Sequence, residues 1–207
     1  YPHFDRRDIT NSRVHSLCMR DGMIYLGTEN GLMIYDIHAG RYVEKAKKGP
    51  RDIRAMLMMN DRMLIGTSRG LYVKKGNSIR YAAEYGISQT VYSMLNTHWG
   101  QLIGTINGLY VINGNHARRI MIGTGRQPLV NAIIADKHNN IWVGTEGALY
   151  SWNGRSFIPV LPLMGNSVKT LTLDARNNLL AGTDNGLYVI SPNGTVSRII
   201  HDARSQE

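Results

Sequence analysis

The chain has 207 residues, 22 of them glycine against 2 phenylalanine and 3 tryptophan, and 24 Lys and Arg against 15 Asp and Glu set a formal charge of +9. One domain of this length buries most of its apolar surface without staples, the lone Cys18 excludes an internal disulfide, and no apolar run approaches the roughly 18 residues of a membrane span. The charge favours anionic partners without choosing among them, and its clusters at Lys45, Lys47, Lys48 and Arg51 and at Arg118 and Arg119 are equally compatible with an ordinary basic surface.

After a lead-in at 1–13 without strand alternation, a first apolar run at 14–19 breaks at the turn 20–22 and resumes in YLGTENGL at 25–32. A third run at 32–35 and a more polar fourth at 41–44 complete a unit at 14–50. The succession returns at 53–58, LIGTSRGL (64–71), 71–74 and 78–81 in the unit 51–88, then at 91–96, LIGTINGL (102–109), 109–112 and 116–120 in the unit 89–127. It returns again at 130–135, WVGTEGAL (142–149), 149–152 and 156–160 in the unit 128–165. The last round is at 168–173, LAGTDNGL (180–187), 187–190 and 195–200 in the unit 166–200, followed by a polar tail at 201–207. Because Tyr1 stands where Met would begin a newly made chain, a processed product or excised piece is expected.

The lead glycines Gly27, Gly66, Gly104, Gly144 and Gly182 stand 39, 38, 40 and 38 residues apart. A period of this length, filled by four short strands and tight Asn-Gly or Gly-Asn turns, predicts an all-β fold: a β-propeller of five four-stranded antiparallel blades. The glycine after each Gly-Thr turn (Gly31, Gly70, Gly108, Gly186) is expected at positive φ or at a close backbone approach. Ala148 stands there in the fourth unit, with Gly147 one place earlier, and predicts a shifted turn. Gly123-Thr124 looks like a sixth copy but falls between blades, lacks a following Gly-Leu and is rejected. Cys18 aligns with Leu57, Leu95, Ile134 and Thr172 and reads as a small core side chain.

The segment 136–150, DKHNNIWVGTEGALY, and its echo at 174–188 resemble the two-component regulator propeller repeat, and the likeness extends over all five units. It implies the sensing region, periplasmic and anchored in the inner membrane through other parts, of a bacterial hybrid two-component histidine kinase. Many such sensors control transcription of polysaccharide-utilisation systems, and the resemblance implies that role here. Relatives with about seven blades per set leave two forms open here, a fragment of a larger propeller or a self-contained ring of five. Since each unit owns its four strands, the fragment is favoured, and an open array would expose the faces of its terminal blades.

Successive antiparallel strands alternate direction, so the Gly-Thr turns and the inter-blade segments share one end. The second residue of each first strand is polar or amphipathic: His15, Arg54, Tyr92, Asn131 and Lys169. These five are candidates for a ligand-binding ring at a channel mouth, or for a hydrated wall that binds only water. The variable turn residues, Arg69 and Asp184 among them, form a second set of candidates. With Arg13, Arg51 and Arg126 near the same end, an acidic or sulfated oligosaccharide is the expected ligand. Other propeller blades, or a second sensor chain in a homodimer, are the expected protein partners.

No phosphate-cradling loop, metal-ligand spacing, calcium loop or nucleophile elbow occurs, so no cofactor, metal or catalytic residue is expected. A propeller lyase acting on a lactone or uronate polymer through His15, Tyr92 and Lys169 is the enzymatic alternative, and a purely structural docking propeller the other. Nucleic acid is disfavoured, because aromatic platforms do not interleave with the basic residues.

Overall fold

A computed structural model describes residues 13–44 and 49–199. The lead-in before residue 13, the basic cluster at Lys45, Lys47 and Lys48, the end of the final strand at Ile200 and the tail at 201–207 lie outside the described residues.

Five antiparallel sheets of four strands follow one another along the chain, each in simple sequential order. The first holds β1 (Val14–Arg20), β2 (Met23–Thr28), β3 (Gly31–Asp36) and β4 (Arg41–Glu44), and the second β5 (Ile53–Met58), β6 (Met63–Thr67), β7 (Gly70–Lys75) and β8 (Ser78–Tyr81). The third holds β9 (Val91–Thr97), β10 (Gly100–Thr105), β11 (Gly108–Asn113) and β12 (His116–Ile120). The fourth holds β13 (Val130–Ala135), β14 (Ile141–Thr145), β15 (Leu149–Trp152) and β16 (Phe157–Pro159), and the fifth β17 (Val168–Leu173), β18 (Leu179–Thr183), β19 (Gly186–Ile190) and β20 (Val196–Ile199). By internal contacts the chain divides into two compact units. One comprises the residues through Ile103 with Ile112–Ala117, the other Gly104–Val111 and the residues from Arg118 onward.

The Gly-Thr pair explains how sheets stack within each unit. An added Cβ at Gly27 would stand 2.5 Å from Ile53 Cγ2, at Gly66 2.5 Å from Val91 Cγ1, and at Gly144 2.7 Å from Val168 Cγ1. The glycine is therefore a socket for the β-branched residue that opens the next first strand, and Ile53, Val91 and Val168 are all 0% exposed. The threonine then closes the turn. Its hydroxyl donates to the carbonyl three residues on, from Thr28 to Gly31 (2.8 Å), Thr67 to Gly70 (2.9 Å), Thr105 to Gly108 (2.9 Å), Thr145 to Ala148 (2.9 Å) and Thr183 to Gly186 (2.8 Å).

The expected positive φ is present at Gly31, Gly70, Gly108 and Gly186. At Gly70 a close approach accompanies it, since an added Cβ would lie 2.4 Å from the Ile87 carbonyl oxygen. The fourth turn differs as its sequence does. Both Gly147 and Ala148 donate backbone N–H groups to Thr145 Oγ1 (3.3 and 3.1 Å), and β15 starts one residue later than its counterparts. The segment around Gly123 forms no strand; Ile122 makes one parallel bridge to Phe157, and its N–H donates to the buried Gln127 side chain (2.8 Å).

Two features were not expected. Single 3₁₀ turns at Ala83–Tyr85 and Leu161–Leu163 follow β8 and β16 and bury Tyr85 and Leu163. The second of them ends the outer strand early, at Pro159.

At the end opposite the Gly-Thr turns, short polar turns join neighbours. Arg20 donates to the carbonyls of Met59 (2.6 Å) and Asn60 (3.1 Å), and the Lys137 N–H donates to Asn177 Oδ1 (3.0 Å). Asp174 Oδ1 accepts the N–H groups of Arg176 and Asn178 (2.8 Å each), and Asn178 Nδ2 donates to its Oδ2 (2.7 Å). These bonds, the Asn178 side chain foremost, hold the Asp174 carboxyl below its usual pKa. The stabilisation is thus complete above the ordinary carboxylate range, around pH 4, and is lost as pH falls through the lowered folded value. Asp174→Asn is expected to flatten the acid side of the melting-temperature profile relative to the wild type, as read by circular dichroism between pH 2 and pH 6.

Candidate functional site

The first strand of four sheets is bulged at one residue. Val14 lies opposite Thr28 and Ser16 opposite Gly27, leaving His15 without a cross-strand partner. The same slip isolates Arg54 between Ile53 and Ala55, Asn131 between Val130 and Ala132, and Lys169 between Val168 and Thr170. A bulged residue is released from the ladder and re-aimed. That frees the column from the apolar alternation of its strand and accounts for its polar character.

In the first unit, two candidates converge on a residue that repeat-based reading passed over, and a third packs against one of them. Asp52 Oδ2 accepts from Arg54 Nε (3.1 Å) and from its terminal nitrogen (2.9 Å), while His15 Nε2 stands 3.7 Å from Oδ1. The Arg54 guanidinium lies over the Tyr92 ring, 5.4 Å from its centroid. Partial burial pushes the Asp52 carboxyl up, but hydrogen bonds from Arg54 and Ser68 and the positive charges of Arg54 and His15 outweigh it and hold the pKa below the usual value. Asp52 also has a left-handed backbone, φ 51°, uncommon for a residue with a side chain. Its N–H donates to the Glu29 carbonyl (2.9 Å) and its own carbonyl accepts from Ser68 N–H (3.3 Å), so both neighbouring turns fix it.

Arg54 is thus already paired with a carboxylate, Asp52, along one edge of its fork. The free cations lie beside it. A cavity of about 490 Å³ opens at the Gly-Thr end, lined by Gly49, Pro50, Arg51, Asp52, Thr67, Ser68, Arg69 and Tyr72. Arg51 and Arg69 are exposed at its edge, with no ion pair to either among the described residues. Small-ligand sites span on the order of 300–1,000 Å³, whereas the cleft near Tyr25, Met58 and Arg62 at the other end holds only about 160 Å³.

In the second unit, Asn131 Nδ2 donates to the Val168 carbonyl (2.8 Å), tying two sheets together. Asp184 Oδ1 accepts from the Ser167 N–H (2.9 Å), which makes it a turn anchor. Lys169 is exposed, with no ion-pair partner among the described residues. No group of three or more His, Cys, Asp or Glu side chains that could hold a metal ion occurs among the described residues.

Residues 124–147 match the family model described as two component regulator propeller. No curated protein matches the chain. Among solved structures, the chain is similar to the extracellular domain of BT4673 from B. thetaiotaomicron, described as a hybrid two component system, at 30% identity and TM-score 0.86 over 98% of this chain. A second structure of that extracellular domain, described as part of a one component system, gives 29% identity and TM-score 0.85. The chain spans 30% of the length of either domain. Virginiamycin B lyase from Staphylococcus aureus aligns with TM-score 0.75 over 92% of this chain and 71% of its own, but at 11% identity this likeness carries the fold alone. The five sheets are blades of a β-propeller, and the chain carries the two-component regulator propeller repeat.

Proposed function

We infer that the chain is a ligand-sensing, non-catalytic propeller segment of the periplasmic region of a bacterial hybrid two-component sensor that regulates polysaccharide use. The ligand is an acidic or sulfated oligosaccharide received at the Gly-Thr end of the first unit. The arginine-edged cavity carries this reading. Arg51 and Arg69 present two unneutralised guanidinium groups to a space of sugar-residue size, and a guanidinium fork suits carboxylate and sulfate alike. Ser68 and Tyr72 add hydroxyl groups at the wall. The similarity to an extracellular domain of a two component system supports the sensory setting.

Asp52 gives the site a graded response. With its carboxylate present, the cavity carries one negative charge against an incoming anion, and Arg54 is held to it. Asp52→Asn removes that charge and loosens Arg54, so affinity for an acidic glycan is expected to rise several-fold. Arg69→Ala and Arg51→Ala are each expected to lower it by about tenfold, on the order of 1.4 kcal/mol. Isothermal titration against a panel of neutral, uronate-containing and sulfated oligosaccharides, at low and high salt, checks both. Equal affinity of the wild type and Arg69→Ala for every acidic glycan removes the cavity as the site. Turnover of a lactone or uronate polymer would install the lyase instead.

A further inference from the structure

Asparagine stands directly before glycine six times, at Asn30, Asn107, Asn113, Asn153, Asn185 and Asn193. A glycine nitrogen, with no Cβ beside it, can swing onto the carbonyl carbon of the preceding asparagine side chain. Five of the six turns hold the pair against that motion. Asn30, Asn107 and Asn185 lie in Gly-Thr turns, where the threonine hydroxyl accepts the asparagine N–H (3.2, 3.1 and 3.0 Å) and donates to the glycine carbonyl (2.8, 2.9 and 2.8 Å). At Asn193, Oδ1 accepts the Thr195 N–H (3.1 Å), and the Gly194 N–H donates to the Ser191 carbonyl (2.8 Å). Asn153 Oδ1 accepts two N–H groups, from Arg155 (2.9 Å) and Ser156 (2.8 Å).

Asn113 is the exception. It is exposed where β11 turns into β12, and its side chain makes one bond, from Nδ2 to the Trp99 carbonyl, at 3.5 Å. That length is at the weak limit of an N–H···O contact, so the amide is nearly unrestrained. Gly114 is exposed too, with φ +61°, and nothing lies within 4 Å of the place a Cβ would take. Its N–H has no hydrogen-bond partner among the described residues.

We propose that Asn113 is a modification site, at which the folded chain deamidates itself. The Gly114 nitrogen gives up its proton and attacks Asn113 Cγ. The new C–N bond closes a five-membered imide, and the side-chain nitrogen takes up a proton and leaves as ammonia. Water then adds to one imide carbonyl and breaks its C–N bond, leaving aspartate or isoaspartate. Nothing is oxidised or reduced, and water is the one co-reactant. Either product places a carboxylate in the turn and lowers the formal charge of +9 by one. Isoaspartate also lengthens the main chain of the hairpin between β11 and β12, whose tight turn sets the register of its strands.

Peptide mapping by mass spectrometry tests this on the 207-residue chain, kept folded in mildly alkaline buffer and sampled over time. Asn113 is expected to convert about tenfold faster than the other Asn-Gly pairs, with isoaspartate among its products. In concentrated urea, where every turn is lost, all the pairs should convert at comparable rates, because their local sequence is the same. Asn113→Gln, whose longer side chain must close a six-membered ring, should leave the peptide unmodified in the folded chain. An Asn113 that stays intact in the folded chain but converts in urea overturns the proposal. So does conversion in the folded chain no faster at Asn113 than at Asn30 or Asn185.

Discussion

Gly70→Ala is expected to be the most damaging single-methyl change in the first unit. Its φ of +102° is one that side-chain-bearing residues rarely adopt, and the new carbon would lie 2.4 Å from the Ile87 oxygen and 2.9 Å from Ser88 Cα. Both obstacles are backbone, held in place by the hydrogen bond from Leu71 N–H to the Ile87 carbonyl (3.2 Å), so neither can swing aside. Backbone strain and overpacking together cost about 3–5 kcal/mol, which lowers the thermal midpoint by on the order of 10 °C for a chain of this size. Gly76→Ala is the matched control. Its φ is +53° and nothing lies within 4 Å of the new carbon, so a loss of about 1 kcal/mol is expected. Thermal melts of the two variants side by side separate steric collision from conformational preference. Equal losses would show that the approach of the 87–88 segment is not what requires glycine.

Thr67→Val is the second large effect. The shape is kept, but the buried hydroxyl that donates to the Gly70 carbonyl (2.9 Å) and accepts the Arg69 N–H (3.0 Å) is removed. At 1% exposure no water takes the hydroxyl's place, and losing both bonds costs about 1–3 kcal/mol. The same change at Thr183 is expected to cost less than about 1 kcal/mol, because that turn is open to solvent. Urea unfolding of both variants, compared at constant m-value, measures the gap. A Thr183→Val loss as large as that of Thr67→Val would mean the threonine acts through the turn alone and not through its burial between sheets.

The division into sheets was legible because a period of about 39 residues with Gly-Thr in register leaves few alternatives, and the strands stand close to where alternation places them. Other features were hidden for identifiable reasons. The 3₁₀ turns at Ala83–Tyr85 and Leu161–Leu163 are too short to express a helical period. The bulge had a faint signal in β1, where Val14, Leu17 and Met19 are spaced by three and then two, a break in strict alternation that a register slip explains. Asp52 was invisible to a comparison of repeats because its counterparts Arg13, Thr90, Leu129 and Ser167 share neither charge nor size with it. Averaging over copies finds the scaffold and conceals what is particular to one of them. For the same reason the repeat gave no sign that Arg54 holds a carboxylate and lies over an aromatic ring.

The slipped residue in the opening strand has an evolutionary corollary. Since His15, Arg54, Asn131 and Lys169 make no cross-strand pair, mutation can exchange imidazole, guanidinium, amide or amine there while the adjoining ladder stays in register. The cost of such an exchange is then set by what each side chain touches, small at the exposed Lys169 and larger at Asn131, whose amide spans two sheets.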